Sequence, residues 1–254
     1  MDPISFTAAA GMRSRMESLE MLANNIANAA TSGYKADRES FSLYLSEEAL
    51  VSAASSGADA LTLPVIERSW VDHSQGLLTP SGNPLDLALA GKGFFAVNGP
   101  AGTLYTRNGN FRLSSSGLLE TREGYAVRAA GGRIMRLDPN APVEVRRDGT
   151  VFQNGIAAGR LEVVEVTGDQ PGAAQPLEKL AGVYFRLAGA GGTSLQPAQA
   201  TEVQQGMLET SNASAAESAV RLVGVLRQFE MLQKAGTLAG EMNRRAIEEV
   251  ARVG

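Results

Sequence analysis

The 254-residue chain contains no cysteine. That absence excludes disulfide scaffolds, thiolate nucleophiles and zinc or iron–sulfur centres held by thiolates. Histidine occurs once, as His73, so a site needing two or three imidazoles cannot form within one chain. Aromatic residues make up only 6% and charged residues 20%, against 44% hydrophobic. That is enough apolar material for a core and too little charge for wholesale disorder. No run approaches the roughly 20 consecutive apolar residues of a membrane span. Lys plus Arg total 23 against 27 for Asp plus Glu, and this balance of −4 leaves no basic footprint for nucleic acid. Met1-Asp2-Pro3-Ile4 lacks the basic start of a secretory signal, and Arg13, Arg15 and Glu17 interrupt the apolar residues after it. No cleavable signal peptide is therefore expected.

The residues that are present differ between the ends and the middle. From about Ser5 to Ala30 the apolar positions Met12, Met16, Leu19, Ala23, Ile26 and Ala30 are spaced four, three, four, three and four apart. That is the stripe of a helix packed along another helix. Gly33 is suited to a left-handed residue just past the helix end. From about Ala213 the pattern returns in Leu222, Val225, Phe229, Leu232, Gly236, Ala239, Asn243, Ala246 and Val250, widened by Leu226, Leu238 and Met242. Gly236, Ala239 and Ala246 would let a neighbouring backbone approach, and Asn243 would set register. Ser211 and Asn212 are N-cap candidates.

Between the ends, short apolar or alternating runs are separated by Asn-Gly, Asp-Gly and Gly-Gly pairs. Phe94-Phe95-Ala96-Val97, Val143-Glu144-Val145 and Leu161 to Val166 are such runs. They predict an antiparallel sandwich or barrel. The expected fold is mixed α+β. Its long N- and C-terminal helices pair as a coiled-coil-like inner layer, with the all-β domain outside. The expected division is an N-terminal assembly helix over 1–35, a connector over 36–81, a β domain over 82–187, a return segment over 188–210 and a C-terminal assembly helix over 211–254. Ser46 to Leu63 and Ala188 to Thr193, rich in small residues, read as irregular connectors.

The stretch Ala23-Asn24-Asn25-Ile26-Ala27-Asn28-Ala29-Ala30-Thr31-Ser32-Gly33-Tyr34-Lys35 closely resembles the N-terminal signature of bacterial flagellar rod and hook proteins. Three further blocks resemble the same family in order. They are Gly82 to Leu89 with Gly91 to Val97, Tyr105 to Phe111 with Gly117-Leu118-Leu119, and Val203 to Asn212 with Arg227-Gln228-Phe229-Glu230. Length and the Phe6-Thr7-Ala8 start are most similar to the proximal-rod members; distal-rod members share every block. The resemblance implies a structural subunit of the flagellar basal body, exported through the flagellar secretion apparatus into the periplasmic rod. It implies a tube assembled from copies of itself and other rod proteins, with no cofactor, small-molecule substrate or membrane insertion. The implied assembly residues are Met12, Met16, Leu19, Ala23, Asn24, Asn25, Ile26, Asn28, Gly33 and the C-terminal stripe from Leu222 to Asn243. The amides of Asn24, Asn25 and Asn28 can satisfy backbone groups either on a neighbouring subunit or within their own chain.

Catalytic chemistry has little to stand on. His73 lies in a polar, turn-like setting and reads as solvated or locally hydrogen-bonded. Gly189 to Ser194 lacks the Lys-Ser/Thr ending of a phosphate loop. Met12, Met16 and Met21 read as packing rather than a soft-metal stripe. Asp86 and Asp138 read as turn formers, and Lys92, Arg107 and Arg112 as solvated charges on the β surface. The competing interpretation is a β-sandwich enzyme or carbohydrate-binding module whose helices merely dimerise. It requires a concave site with convergent polar groups, and no such constellation is visible.

Overall fold

The computed structural model describes residues 3–45, 62–166, 177–188 and 195–253. Most of the Ser46–Leu63 connector, and the Gly189–Ser194 run, lie outside the described residues. The chain divides into two compact units, 1–27 with 37–70 and 214–254, and 28–36 with 71–213. The fold is mixed, with one helix near each end and an antiparallel β-rich centre.

The first unit holds helix α1, Pro3–Ala27, and helix α2, Ala215–Val253, packed on one another. A two-stranded sheet of Asp37–Leu45 and Thr62–Val71 accompanies them, two long strands where a connector was expected. The helices run antiparallel. A Cβ on Gly11 would lie 3.1 Å from Leu232, and one on Gly236 would lie 3.7 Å from Ala8. Helix α2 starts three residues beyond Asn212. Its cap is Ser214, whose Oγ accepts from the Glu217 N–H at 3.3 Å, while Glu217 occupies the first turn, where the helix dipole favours an acid.

The second unit is built on the strand Phe94–Gly99, which hydrogen-bonds to Gly102–Thr106, Ala126–Ala129 and Val163–Val166. The continuous apolar run Phe94 to Val97 is explained by its two buried faces. Phe95 and Val97 enter a core with Leu87, Leu89, Phe111 and Val151, whereas Phe94 and Ala96 enter a second cluster with Tyr105, Leu177 and Phe185. Among the described residues the principal sheet runs open from Leu177–Ala181 to Phe111–Leu113 and does not close into a barrel. Beside it Val143–Val145, Thr150–Gln153 and Ile156–Arg160 form a meander. Its second turn is Asn154-Gly155, both at positive φ (51° and 78°), the primed geometry that matches strand twist.

Two residues expected in solvent or in turns are packed against this unit's apolar clusters or buried in it. His73 stands edge-on to Phe94 and Phe185, with centroids 5.3 and 5.4 Å away, so it belongs to an aromatic cluster. Its neighbours Ser74, Gln75 and Gly76 give the segment a polar look; the apolar partners come from distant strands. Asp86 does sit in a turn, its N–H donating to the Asn83 carbonyl at 3.0 Å, yet it is buried.

At Gly109 a Cβ would fall 1.6 Å from the Leu87 carbonyl oxygen, so Gly109→Ala should destabilise the β unit by about 3 kcal/mol or more in urea titrations. Burial, and the hydrogen bond Tyr184 donates to Glu123, push the Tyr184 phenol above its ordinary pKa of 10.0. The unfolded phenol therefore ionises first, and stability should fall as pH rises above about 10. Tyr184→Phe should flatten that decline, measured by chemical denaturation at a series of alkaline pH values.

Candidate assembly surfaces and their buried anchor

Helix α1 has two faces of opposite character. Its buried face is mostly small or polar, with one large apolar residue, Leu22, among Ala8, Gly11, Ser14, Ser18 and Asn25. Small side chains let α2 come close, and polar ones meet the strand Asp37–Leu45. Ser18 Oγ donates to Glu39 at 2.9 Å. Asn25 exchanges two bonds with the Asp37 backbone, donating to its carbonyl at 2.8 Å and accepting from its N–H at 3.0 Å. Partial burial pushes the Glu39 carboxyl above its ordinary pKa.

The more apolar stripe of α1 lies beside that face and is only partly covered. Met16 is 56% exposed and Ala23 is exposed, with Met12, Leu19 and Ile26 half-buried. At about 100° per residue this stripe is rotated roughly 110° from the buried one. Sequence periodicity located the stripe, but Gly11 and Ala8, which meet Leu232 and Gly236 of α2, lie outside it. Asn24 is exposed, while Asn28 accepts from Thr31 Oγ1 at 3.3 Å.

On α2 the predicted stripe does face α1: Leu222, Val225, Phe229, Leu232 and Gly236 are half-buried and Ala239 is 4% exposed. Asn243, next along it, is exposed. Roughly 150° around the helix lies a second apolar line of Val220, Met231, Leu238 and Met242, all exposed. Among the described residues no helix is long and apolar enough to cross a membrane.

The β unit contains the anchor that sequence reasoning missed. Lys35 and Glu209 are fully buried and Arg107 is 2% exposed. Glu209 Oε1 accepts from Lys35 Nζ at 2.5 Å and from the Gly76 N–H at 2.8 Å; Oε2 accepts from Arg107 at 3.1 Å. Lys35 also donates to the Ser74 carbonyl at 2.6 Å, and Arg107 to the Gly91 carbonyl at 2.7 Å. Burial lowers the pKa of both cations, and Glu209 opposes that shift. Arg107 is therefore no solvated surface charge: its guanidinium also lies 5.2 Å over the Phe94 ring. Lys92 and Arg112 are exposed, Arg112 pairing with Glu120 at 2.9 Å.

Asn212 closes the arrangement instead of capping α2. Its Oδ1 accepts from the Ala36 N–H at 2.7 Å, and its Nδ2 donates to the Asp72 carbonyl at 2.7 Å and the Ser74 carbonyl at 3.1 Å. The Asp72 N–H donates to the Ala36 carbonyl at 2.8 Å, so three distant segments are tied at one amide. Gly33, buried with φ +69°, is six residues past α1 and is no helix cap. A Cβ there would lie 2.3 Å from the Asn108 nitrogen, which is why the position is glycine. The four sequence blocks thus interlock. Lys35, Arg107 and Glu209 share charges, and Gly206 N–H donates to the Asp86 carbonyl at 2.8 Å.

A cavity of about 290 Å³ in the β unit is lined by Tyr105, Arg160, Glu162 and Thr201 among others. Arg160 is committed to the Asp148 carbonyl at 2.8 Å and Glu162 to Arg128 at 2.8 Å. Among the described residues no cluster of three or more His, Asp or Glu is placed to hold a metal ion.

Removing one partner of a buried ion cluster leaves an uncompensated charge. Glu209→Gln should therefore lower stability by about 3–5 kcal/mol, and Asn212→Ala by about 1–3 kcal/mol, in equilibrium denaturation.

The family described as the flagellar hook protein FlgE/F/G D1 domain matches residues 88–153. The flagella basal body rod protein family matches residues 7–35, and the flagellar basal body rod FlgEFG protein C-terminal family matches 204–249. The chain is 31% identical to the flagellar basal-body rod protein FlgF of Caulobacter vibrioides, over 92% of each chain. It is 32% identical to FlgF of Mesorhizobium japonicum, covering 84% of this chain and 83% of the relative. To the flagellar basal-body rod protein FlgG of Agrobacterium fabrum it is 31% identical, covering 92% and 94%.

Proposed function

Since the chain belongs to the family of flagellar basal-body rod proteins and is a structural subunit of the rod, we propose that it polymerises through α1 and α2 into a tube that transmits torque and encloses the export channel. The observation that carries this reading is the apolar surface each helix leaves uncovered within its own chain. On α1 that surface includes Met16 and on α2 Val220, Met231, Leu238 and Met242, each more than half exposed. A helix pair that satisfied itself would not keep such lines in water. Covering them with neighbouring subunits contributes cohesion at about 25 cal/mol per Å² of apolar area. Shear is then spread over many helix contacts.

The helices form the inner layer of that tube, in coiled-coil-like contact, and the β unit lies outside. The subunit reaches the periplasm through the flagellar export apparatus, and it assembles with itself and with other rod proteins. Length and the Phe6-Thr7-Ala8 start favour the proximal part of the rod; a distal-rod or hook-type position is the alternative. No catalytic role is proposed, because the charged groups around the β unit's cavity are engaged structurally.

Deleting the gene from its host should abolish swimming, and a tagged copy that restores it should co-purify with basal bodies. A strain that swims normally without the protein, or a tagged copy absent from basal bodies, contradicts the proposal. Limited proteolysis of the dilute chain should remove α1 and α2 before the β unit; an intact, resistant chain would favour a self-contained binding module.

A further inference from the structure

We propose that Met16 on α1 and Met231 on α2 are oxidation sites, and that their conversion to the sulfoxide by hydrogen peroxide or another small hydroperoxide blocks assembly while leaving the chain folded. This role rests on the reading that the chain polymerises through its helices, and it gives that step a chemical control.

The chain has no cysteine, so all of its sulfur lies in the thioethers of eight methionines. Their exposure is graded. Met16 is 56% and Met231 62% exposed, whereas Met135 in the β unit is 5% exposed. Met12, Met21 and Met207 are half-buried. Met135 is packed against the meander, where its sulfur would lie 3.5 Å from a Cβ on Gly159. A thioether must present a lone pair to the oxidant, so susceptibility follows exposure. Peroxide is small and uncharged, and the Arg13–Glu17 ion pair flanking Met16 does not exclude it.

The reaction needs no group beyond the sulfur and the oxidant. The sulfur lone pair attacks one peroxide oxygen, the O–O bond breaks, and the displaced hydroxide takes a proton and leaves as water. Sulfur gives up two electrons and the peroxide accepts them. The product is a polar, chiral sulfoxide, which methionine sulfoxide reductases return to the thioether.

The consequence depends on where the sulfoxide stands. In the free chain Met16 and Met231 already meet water, so the new S=O dipole stays solvated and the helix backbone keeps its hydrogen bonds. On a surface that must be dried against a neighbour, the same dipole is stripped of water without a partner. Oxidation at these two residues therefore opposes association and spares folding. Oxidation of Met135 would do the reverse, and its burial protects the β unit.

The full-length chain, purified and dilute, is treated with hydrogen peroxide and its peptides are mapped by mass spectrometry. Met16 and Met231 should each take up one oxygen roughly tenfold faster than Met135, with the helical circular dichroism unchanged. Equal rates at the three residues, or helix loss in step with oxidation, overturn the proposal. In the host, Met16→Gln with Met231→Gln places polar side chains of similar length at both sites, and Met16→Leu with Met231→Leu keeps both apolar. The Gln pair should enter basal bodies roughly tenfold less than wild type, and the Leu pair about as well as wild type. Normal entry of the Gln pair, or equal loss in both pairs, overturns the block by polarity and leaves the rod function standing. Failure of the wild-type chain to enter basal bodies overturns both.

Discussion

One buried carboxylate organises the β unit. Glu209 comes late in the chain, yet its two oxygens hold Lys35 from just after α1 and Arg107 from the middle, together with the Gly76 amide. Three charges removed from water are tolerable only because each is paired and hydrogen-bonded. Replacing such a cluster with apolar residues often costs nothing in stability, so its value here lies in fixing which segments meet. Lys35 must find Glu209 across 174 positions of sequence, and an incorrect register would strand a charge. Gly33 and Gly109 admit the close backbone approach this requires, and Asn212 ties the segments at 36, 72 and 74 beside it.

The helices obey the opposite logic. Small groups on α1, Ala8 and Gly11, meet the apolar stripe of α2, and further apolar residues, Met16 on α1 and Val220, Met231, Leu238 and Met242 on α2, are left exposed. A polymer subunit needs this division. If Met16, Val220, Met231, Leu238 and Met242 were covered within the chain, it would be satisfied alone and would have little reason to associate. A rigid β unit held by a charge lock and a helix pair left incomplete suit one part for shape and the other for assembly.

Much of this is legible in the sequence, and the exceptions have identifiable causes. Periodicity locates both helices, and the Gly-punctuated runs locate the β unit, because 3.6-residue and two-residue repeats are local signals. The inward face of α1 is not legible: an a/d pattern says where apolar residues lie, not which face a neighbour already covers. The strands Asp37–Leu45 and Thr62–Val71 are hidden by the small-residue stretch between them, which dominates the composition of the region. Arg107 looks like a surface charge because its partner is 102 positions away. Lys35, Glu209 and Asn212 sit inside recognisable blocks whose pattern alone assigns them no role. A signal for the first two does exist: Lys35, Arg107 and Glu209 place a charge inside each of three separate blocks, with both signs represented.

The central claim is that the terminal helices, not the β unit, make the contacts between subunits. A helical reconstruction of the rod by electron cryomicroscopy, at a resolution that separates helices, tests this most directly. The account predicts α1 and α2 of each copy buried against helices of neighbouring copies around the channel. Density in which the β units carry the subunit contacts, with the outward stripe of α1 facing solvent, would contradict it.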